Sequence, residues 1–98
     1  LLRAAAPMAG LERLRANRGA AARRDRDLCS GPAKLCQAFG IAKAFDGADL
    51  VTGDQGLRIL DDGTPPPAAP LVTRRIGLSA GVEHEWRWLV RDDPNVSR

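Results

Sequence analysis

The 98 residues carry 15 Lys and Arg against 12 Asp and Glu, a formal net charge of +3, and 44% of them are hydrophobic. A chain of this length makes one small domain and buries only about two-thirds of the surface its unfolded form exposes. No run approaches the ~18 apolar residues of a membrane span, and two Cys with one distant His form no ligand cluster, so membrane-spanning and metal-centred functions are set aside.

The apolar content is weak in kind. Sixteen of the hydrophobic residues are Ala, and Leu, Ile, Val and Phe together number 22, close to the ~20% level at which a packed core becomes doubtful. The chain also opens on Leu1-Leu2 in mid-pattern, without Met. These features predict the C-terminal part of one larger domain, spanning residues 1–98. Charge is uneven: Leu1 to Phe45 holds nine basic and three acidic residues, whereas Asp46 to Arg98 holds six and nine. A polyanion partner is one use for the basic half, and solvated helix surface is the other.

Leu1-Leu2-Arg3 reads as the tail of a strand. Pro7 then ends extended structure, and a helix is predicted from about Met8 to Arg18, closed by Gly19. Leu11 and Leu14 would face the core, leaving Glu12, Arg13, Arg15 and Arg18 in water. Ala20 to Asp27 has helical propensity but no apolar face, which predicts a mobile or marginally helical connector.

The next stretch, Leu28 to Phe39, is the most informative. Proline suits the first turn of a helix, so Gly31-Pro32 marks a start and Gly40 a stop. The amides of Ala33, Lys34 and Leu35 would lack partners inside the helix and point outward with the positive end of its dipole. Lys34 adds a full charge beside them, which makes an anion site. The competing possibility is a surface helix that packs Leu35, Cys36 and Phe39 inward. Cys29 and Cys36 flank the helix start where disulfide distance is hard to reach, so reduced, mostly buried thiols are expected.

Beyond the helix, Ile41 to Phe45 leads into a turn at Asp46-Gly47 and a short helical or extended piece around Ala48 to Val51. Leu57 to Leu60 reads as a strand. Thr64 to Pro70 holds four prolines in seven residues and reads as a surface linker. Leu71 to Ser79 resumes as strand, with Ile76 and Leu78 on one face and Gly77 between them, a residue that weakens a strand and often marks a close approach of backbone to a ligand. Trp86 to Val90 is a second strand, paired through a hairpin at Ala80 to His84, and the parity of Trp86 and Trp88 places both tryptophans inward. Short helices followed by strands give a mixed α/β class.

Leu-Cys-Ser-Gly-Pro-Ala-Lys-Leu-Cys-Gln-Ala-Phe at 28–39, followed by Ile41, Lys43, Phe45 and Asp46, closely resembles the signature of the alkyladenine type of DNA-3-methyladenine glycosylase. These are monofunctional base-excision enzymes for alkylated purines. Leu1 to Glu12, Arg75 to Leu78 and Trp86 to Arg91 are similar to the same family in the same order, so the likeness covers nearly the whole chain. It implies an α+β fold of short helices packed on an antiparallel sheet within a single larger domain. The implied activity is hydrolysis of the N-glycosidic bond of alkylated or deaminated purines, by base flipping and attack of water. Damaged double-stranded DNA is the implied partner of a monomer, inside the cell and nucleoid-associated in a bacterium, with no metal or organic cofactor.

Residue by residue, the resemblance gives Arg3 the role of an arginine that reaches the target nucleotide and the attacking water, for which a planar guanidinium is suited. Ile76 matches the position whose backbone carbonyl holds that water. Arg18, Lys34 and Lys43 resemble phosphate contacts, with Gly31 at the DNA-binding helix start. Four such cations, Arg3, Arg18, Lys34 and Lys43, would give a slope of log affinity on log salt of about −3.6, from ~0.9 per contact. In the resembled family the general base is a Glu, the wedge a Tyr, and the pocket is lined by aromatic and His side chains, all upstream of the Leu1-Leu2-Arg3 segment. This chain has no Tyr, and its first Glu is Glu12, so the 98 residues alone are expected to be inactive. The pattern departs from the family at Asp92-Asp93-Pro94-Asn95-Val96, where Gly, Asn and an aromatic after Pro are usual. A non-catalytic nucleic-acid-binding module and an inactive truncated remnant remain as alternatives.

Overall fold

The computed structural model describes residues 2–96. It forms two compact units, Leu1–Thr64 with Asn95–Arg98, and Pro65–Pro94.

The first unit is built on two helices, α1 (Leu11–Arg18) and α2 (Pro32–Phe39), packed against each other. Helix α1 begins later than the sequence predicts. Gly10 ahead of it takes φ 68°, a left-handed conformation that a helix running from Met8 would not permit. Gly19 closes it, its N–H donating to the Arg15 carbonyl. Helix α2 has the bounds expected, with Pro32 in its first turn and Gly40 at φ 66°. The Gly40 N–H donates to Gln37 O at 3.3 Å and the Ile41 N–H to Cys36 O at 2.8 Å. That double closure satisfies carbonyls which would otherwise end the helix unpaired.

Leu14, Ala22, Leu28, Cys29 and Ala38 make the core of this unit, with Leu11 and Leu35 packed against it. Leu28 and Cys29 are completely buried. The inward residues of α2 are therefore Leu35 and Ala38, whereas Cys36 and Phe39 are exposed, contrary to the packing pattern considered above. Asn17 Nδ2 adds a polar tie between the helices, donating to Ala38 O at 2.8 Å. Fully burying a leucine contributes about 1.5–3 kcal/mol, so Leu14 and Leu28 carry most of what this small core supplies.

The segment between the helices is more ordered than its composition suggests. It contains two 3-10 turns, Gly19–Ala21 and Asp25–Asp27. Ala22 is buried between them, Arg15 pairs with Asp25, and Arg24 pairs with Asp27 at 3.0 Å. An apolar face is unnecessary here because one small side chain and the start of the Leu28–Ser30 run anchor the segment at intervals.

After α2 comes a 3-10 turn at Lys43–Phe45 and the predicted turn at Asp46-Gly47, with Gly47 at φ 82°. Ala48 to Val51 is a turn, neither helix nor strand. The Asp49 carboxylate accepts the N–H groups of Val51 and Thr52 at 2.9 and 3.1 Å, an alternative to regular pairing that short acidic side chains offer. The strand expected at Leu57 to Leu60 is not formed. One backbone bond, Ile59 N–H to Leu50 O at 2.9 Å, holds this stretch, and no ladder runs along it among the described residues.

The second unit begins in the exposed proline-rich stretch and contains an antiparallel pair, β1 (Leu71–Thr73) and β2 (Arg87–Leu89), registered Leu71 to Leu89, Val72 to Trp88 and Thr73 to Arg87. The hairpin is the one the sequence predicts, with shorter strands. Backbone bends follow β1, and Gly77 and Gly81 take φ 77° and 69°. The inward placement of the tryptophans is overturned: Trp86 and Trp88 are 57% and 63% exposed. The alternation is correct and its parity is reversed, because Leu71 and Leu89 face each other on the half-buried side, with Thr73 and Arg87 beside them. Two short helices followed by an antiparallel strand pair make up the mixed α/β class that was expected.

Candidate nucleic-acid interface

Helix α2 presents its N-terminus at the end of the buried Leu28–Ser30 run. Gly31 is extended, at φ −171° and ψ 164°, and Pro32 occupies the first helical position. The first helical bond runs from Leu35 N–H to Gly31 O at 2.7 Å, so Leu35 leaves the set of outward amides, and Ala33 and Lys34 lie in the turn ahead of that bond. Lys34 is exposed and its Nζ donates to Ser30 Oγ at 3.4 Å. A buried Ser30 thus steers an exposed cation over the helix start.

Arg3 belongs to the same neighbourhood. The N–H of Ala5 donates to Cys29 O at 3.1 Å, which lays the Arg3 segment alongside the chain entering α2, and Arg3 itself is half-buried. Lys43 is exposed on the 3-10 turn that follows the helix. Asp27 supplies a nearby negative charge. The hydrogen bond from Arg24 holds its carboxyl below the usual range, and the Lys34 charge acts in the same direction.

Arg18 does not stay in water. It is only 7% exposed, with Nη1 donating to Gln37 Oε1, Nη2 to Asp27 O at 3.3 Å, and Nε buried without a partner among the described residues. Its guanidinium fastens α1 to α2 and to the turn before Leu28. Arg18 also lies close enough to Cys29 that its charge opposes the effect of burial, which pushes the Cys29 thiol upward. Cys29 is a buried free thiol and Cys36 an exposed one, so only one of the two matches the buried state expected of both.

Ile76 stands in the second unit, exposed, in the connection between β1 and β2. Its neighbour Gly77 takes φ 77°, and a Cβ built there meets no other atom of the chain within 4 Å. Among the described residues, no group of three His, Cys, Asp or Glu stands together as metal ligands, and no helix is long and apolar enough to cross a membrane.

A family model for methylpurine-DNA glycosylase matches residues 1–94. The chain belongs to that family. It is similar to a putative 3-methyladenine DNA glycosylase of Burkholderia lata, at 50% identity over 97 residues that cover 99% of this chain and 46% of the relative. The human DNA-3-methyladenine glycosylase is 42% identical over 109 residues, covering 99% of this chain and 36% of the human protein. A putative 3-methyladenine DNA glycosylase of Rubrobacter xylanophilus is 44% identical over 91 residues. The chain thus spans less than half the length of these curated relatives.

In the first unit Gly31 and Lys34 stand at the entry to α2, the backbone two residues after Arg3 is tied to Cys29 just ahead of it, and Lys43 lies just past the end of the helix. Arg18 joins α1 to Gln37 and to the Asp27 carbonyl. The burial of Arg18 escaped the sequence because its partner Gln37 is 19 residues away, and the position looks like any basic residue in the last turn of a helix.

Proposed function

We propose that this chain forms the DNA-holding portion of a monofunctional base-excision glycosylase, which hydrolyses the N-glycosidic bond of alkylated or deaminated purines in damaged duplex DNA inside the cell. The observation that carries this is the start of α2, where exposed Lys34 stands over first-turn amides with the Arg3 segment tied alongside by the Ala5 to Cys29 bond. A phosphate oxygen suits that arrangement. Amide N–H groups, the helix dipole and a lysine all favour negative charge at one point.

The chemistry asks little of a leaving group that is already activated. An alkylated purine carries positive charge, so the bond to the sugar breaks readily once water is aimed at the anomeric carbon. What the protein must supply is an extruded nucleotide, a fixed water and a base to take its proton. In this proposal the Arg3 guanidinium reaches the target nucleotide, and the Ile76 carbonyl serves as an acceptor for a water. Lys34 and Lys43 hold the backbone. In this proposal the general base and the wedge come from outside these 98 residues, which alone release no base.

Arg18 drops out of the phosphate contacts, since its donors face Gln37 and Asp27. Three cations remain, and the expected salt slope is about −2.7 at ~0.9 per phosphate.

The test is a chimera in which the matched 97-residue stretch of the Burkholderia lata protein is replaced by this chain. It should release 3-methyladenine from alkylated duplex, and Arg3→Ala should slow that release by about 100-fold, the scale of losing one oriented charge at the reacting centre. A folded chimera that binds alkylated duplex without releasing base would favour the non-catalytic module.

A further inference from the structure

Lys34 lies in the first turn of α2, where the positive end of the helix dipole disfavours a cation. Repulsion alone would turn the ammonium away from the helix start, yet the side chain runs toward it. A Cβ built on Gly31 would touch Lys34 Cδ at 3.8 Å, so the aliphatic stem passes back across Gly31, the direction in which helical side chains lean. Its Nζ ends on Ser30 Oγ at 3.4 Å.

The ordinary reasons for a serine ahead of a helix do not account for Ser30. It is only 6% exposed, and it does not cap the helix, whose N-cap is Gly31 with no side-chain bond. A buried hydroxyl without a partner is costly, and beside the completely buried Leu28 and Cys29 an alanine would fill the position without that cost. Lys34 is the partner that meets the need.

A carboxylate stands near and is left aside. Asp27 lies just ahead of Ser30, near enough to feel the Lys34 charge. Arg24 engages both of its oxygens, Nε donating to Oδ2 at 3.0 Å and Nη2 to Oδ1 at 3.4 Å, and Lys34 bonds the neutral hydroxyl instead. The choice matters for charge. A carboxylate would fix the ammonium and cancel it, whereas a hydroxyl fixes it and leaves its charge whole for an outside anion.

We propose that Ser30 is a positioning residue for phosphate binding: its buried hydroxyl holds the Lys34 ammonium at the first turn of α2, so that a DNA phosphate meets a cation already in place. The gain is in ordering. A free lysine loses rotamer freedom when it takes up a phosphate, and Lys34 has given up much of it beforehand. The proposal rests on the DNA-holding role. It also separates two quantities, because Ser30→Ala keeps the lysine charge, and with it the ions released on binding, while lowering the affinity.

The test has one arm without DNA. Lys34 and Lys43 are the two lysines of the chain, so a chain made with nitrogen-15 lysine gives two ammonium signals, assigned with Lys43→Arg. Lys34 should be the more ordered of the two by NMR relaxation, and Ser30→Ala should bring it down to the level of Lys43 with the far-ultraviolet dichroism unchanged. In the second arm, anisotropy of a labelled duplex, Ser30→Ala should weaken binding about fivefold, the scale of ordering one long side chain, at an unchanged salt slope. It should have no effect once Lys34 is alanine. Equal order at the two lysines overturns the proposal, as does a Lys34 indifferent to Ser30→Ala. A loss of affinity that persists in the Lys34→Ala chain overturns it too, since that marks a serine that only supports the fold. An ordered Lys34 in a chain that binds no duplex at any salt overturns the DNA-holding role, and the proposal falls with it.

Discussion

Arg18 on α1 and Gln37 on α2 are joined side chain to side chain across 19 residues of sequence, and the same guanidinium reaches the carbonyl of Asp27. One buried arginine thereby joins α1 to the last turn of α2 and to the turn between the helices.

Removing it should cost more than a surface arginine does. Arg18→Ala deletes two hydrogen bonds and a buried side chain that joins the helices, a loss of about 1–2 kcal/mol, and the midpoint of urea unfolding should fall accordingly. Arg18→Met keeps the aliphatic stem and deletes the unpartnered buried Nε, so its midpoint should lie between those of Arg18→Ala and the unaltered chain.

The two cysteines should react apart. Cys36 is exposed and Cys29 is completely buried, with burial pushing its thiol up. At mildly alkaline pH a thiol reagent should label Cys36 at once and Cys29 only as the chain unfolds. Because the folded Cys29 value lies above its ordinary 9.0, its contribution to stability is present below that pH and is lost as pH rises through the folded value. Cys29→Ala should flatten the alkaline end of the stability profile. Two rapidly labelled thiols in the native chain would contradict the burial.

On the acid side the sign reverses. Asp27 is held below its usual 3.8, chiefly by the hydrogen bond from Arg24. Its contribution is present above that value and fades as pH falls through the lower folded one. Asp27→Asn should therefore differ from the unaltered chain near neutrality and converge with it in strong acid, as followed by thermal unfolding across pH.

Asp92 is the one described non-glycine residue with positive φ, at 60°. It lies in the Asp92 to Val96 stretch where the sequence departs from the family's usual Gly. Aspartate tolerates the left-handed region better than most side chains but still at a cost. Asp92→Gly should relieve strain and raise stability by about 0.5 kcal/mol, the low end of what such backbone relief returns. A drop in the unfolding temperature would show that the carboxylate matters more than the backbone.

What the sequence revealed was mostly local. Gly31-Pro32 and Gly40 bound α2 because proline and glycine act on their own backbone, and the hairpin followed from alternation on both sides of a turn. The failures were all matters of partnership. Arg18 is buried by Gln37, which no spacing rule connects to it. Leu57 to Leu60 has strand-like residues and no strand beside it. Trp86 and Trp88 alternate correctly yet face outward, because parity alone leaves open which side of a sheet is covered. At the candidate site, Lys34 and Gly31 were legible from helix-start chemistry, whereas the tie from Ala5 to Cys29 that brings Arg3 alongside is a backbone bond without a sequence signature.

The most direct test of the DNA-holding role is the salt dependence of binding, read as fluorescence anisotropy of a labelled duplex with the 98-residue chain across a range of salt. Three cations, Arg3, Lys34 and Lys43, predict a slope of about −2.7 in log affinity against log salt, shallower by ~0.9 in Lys34→Ala or Lys43→Ala. Arg18→Met should leave the slope where it was. A flat salt response, or a slope that Lys34→Ala and Lys43→Ala do not change, would contradict a phosphate-binding surface at the start of α2.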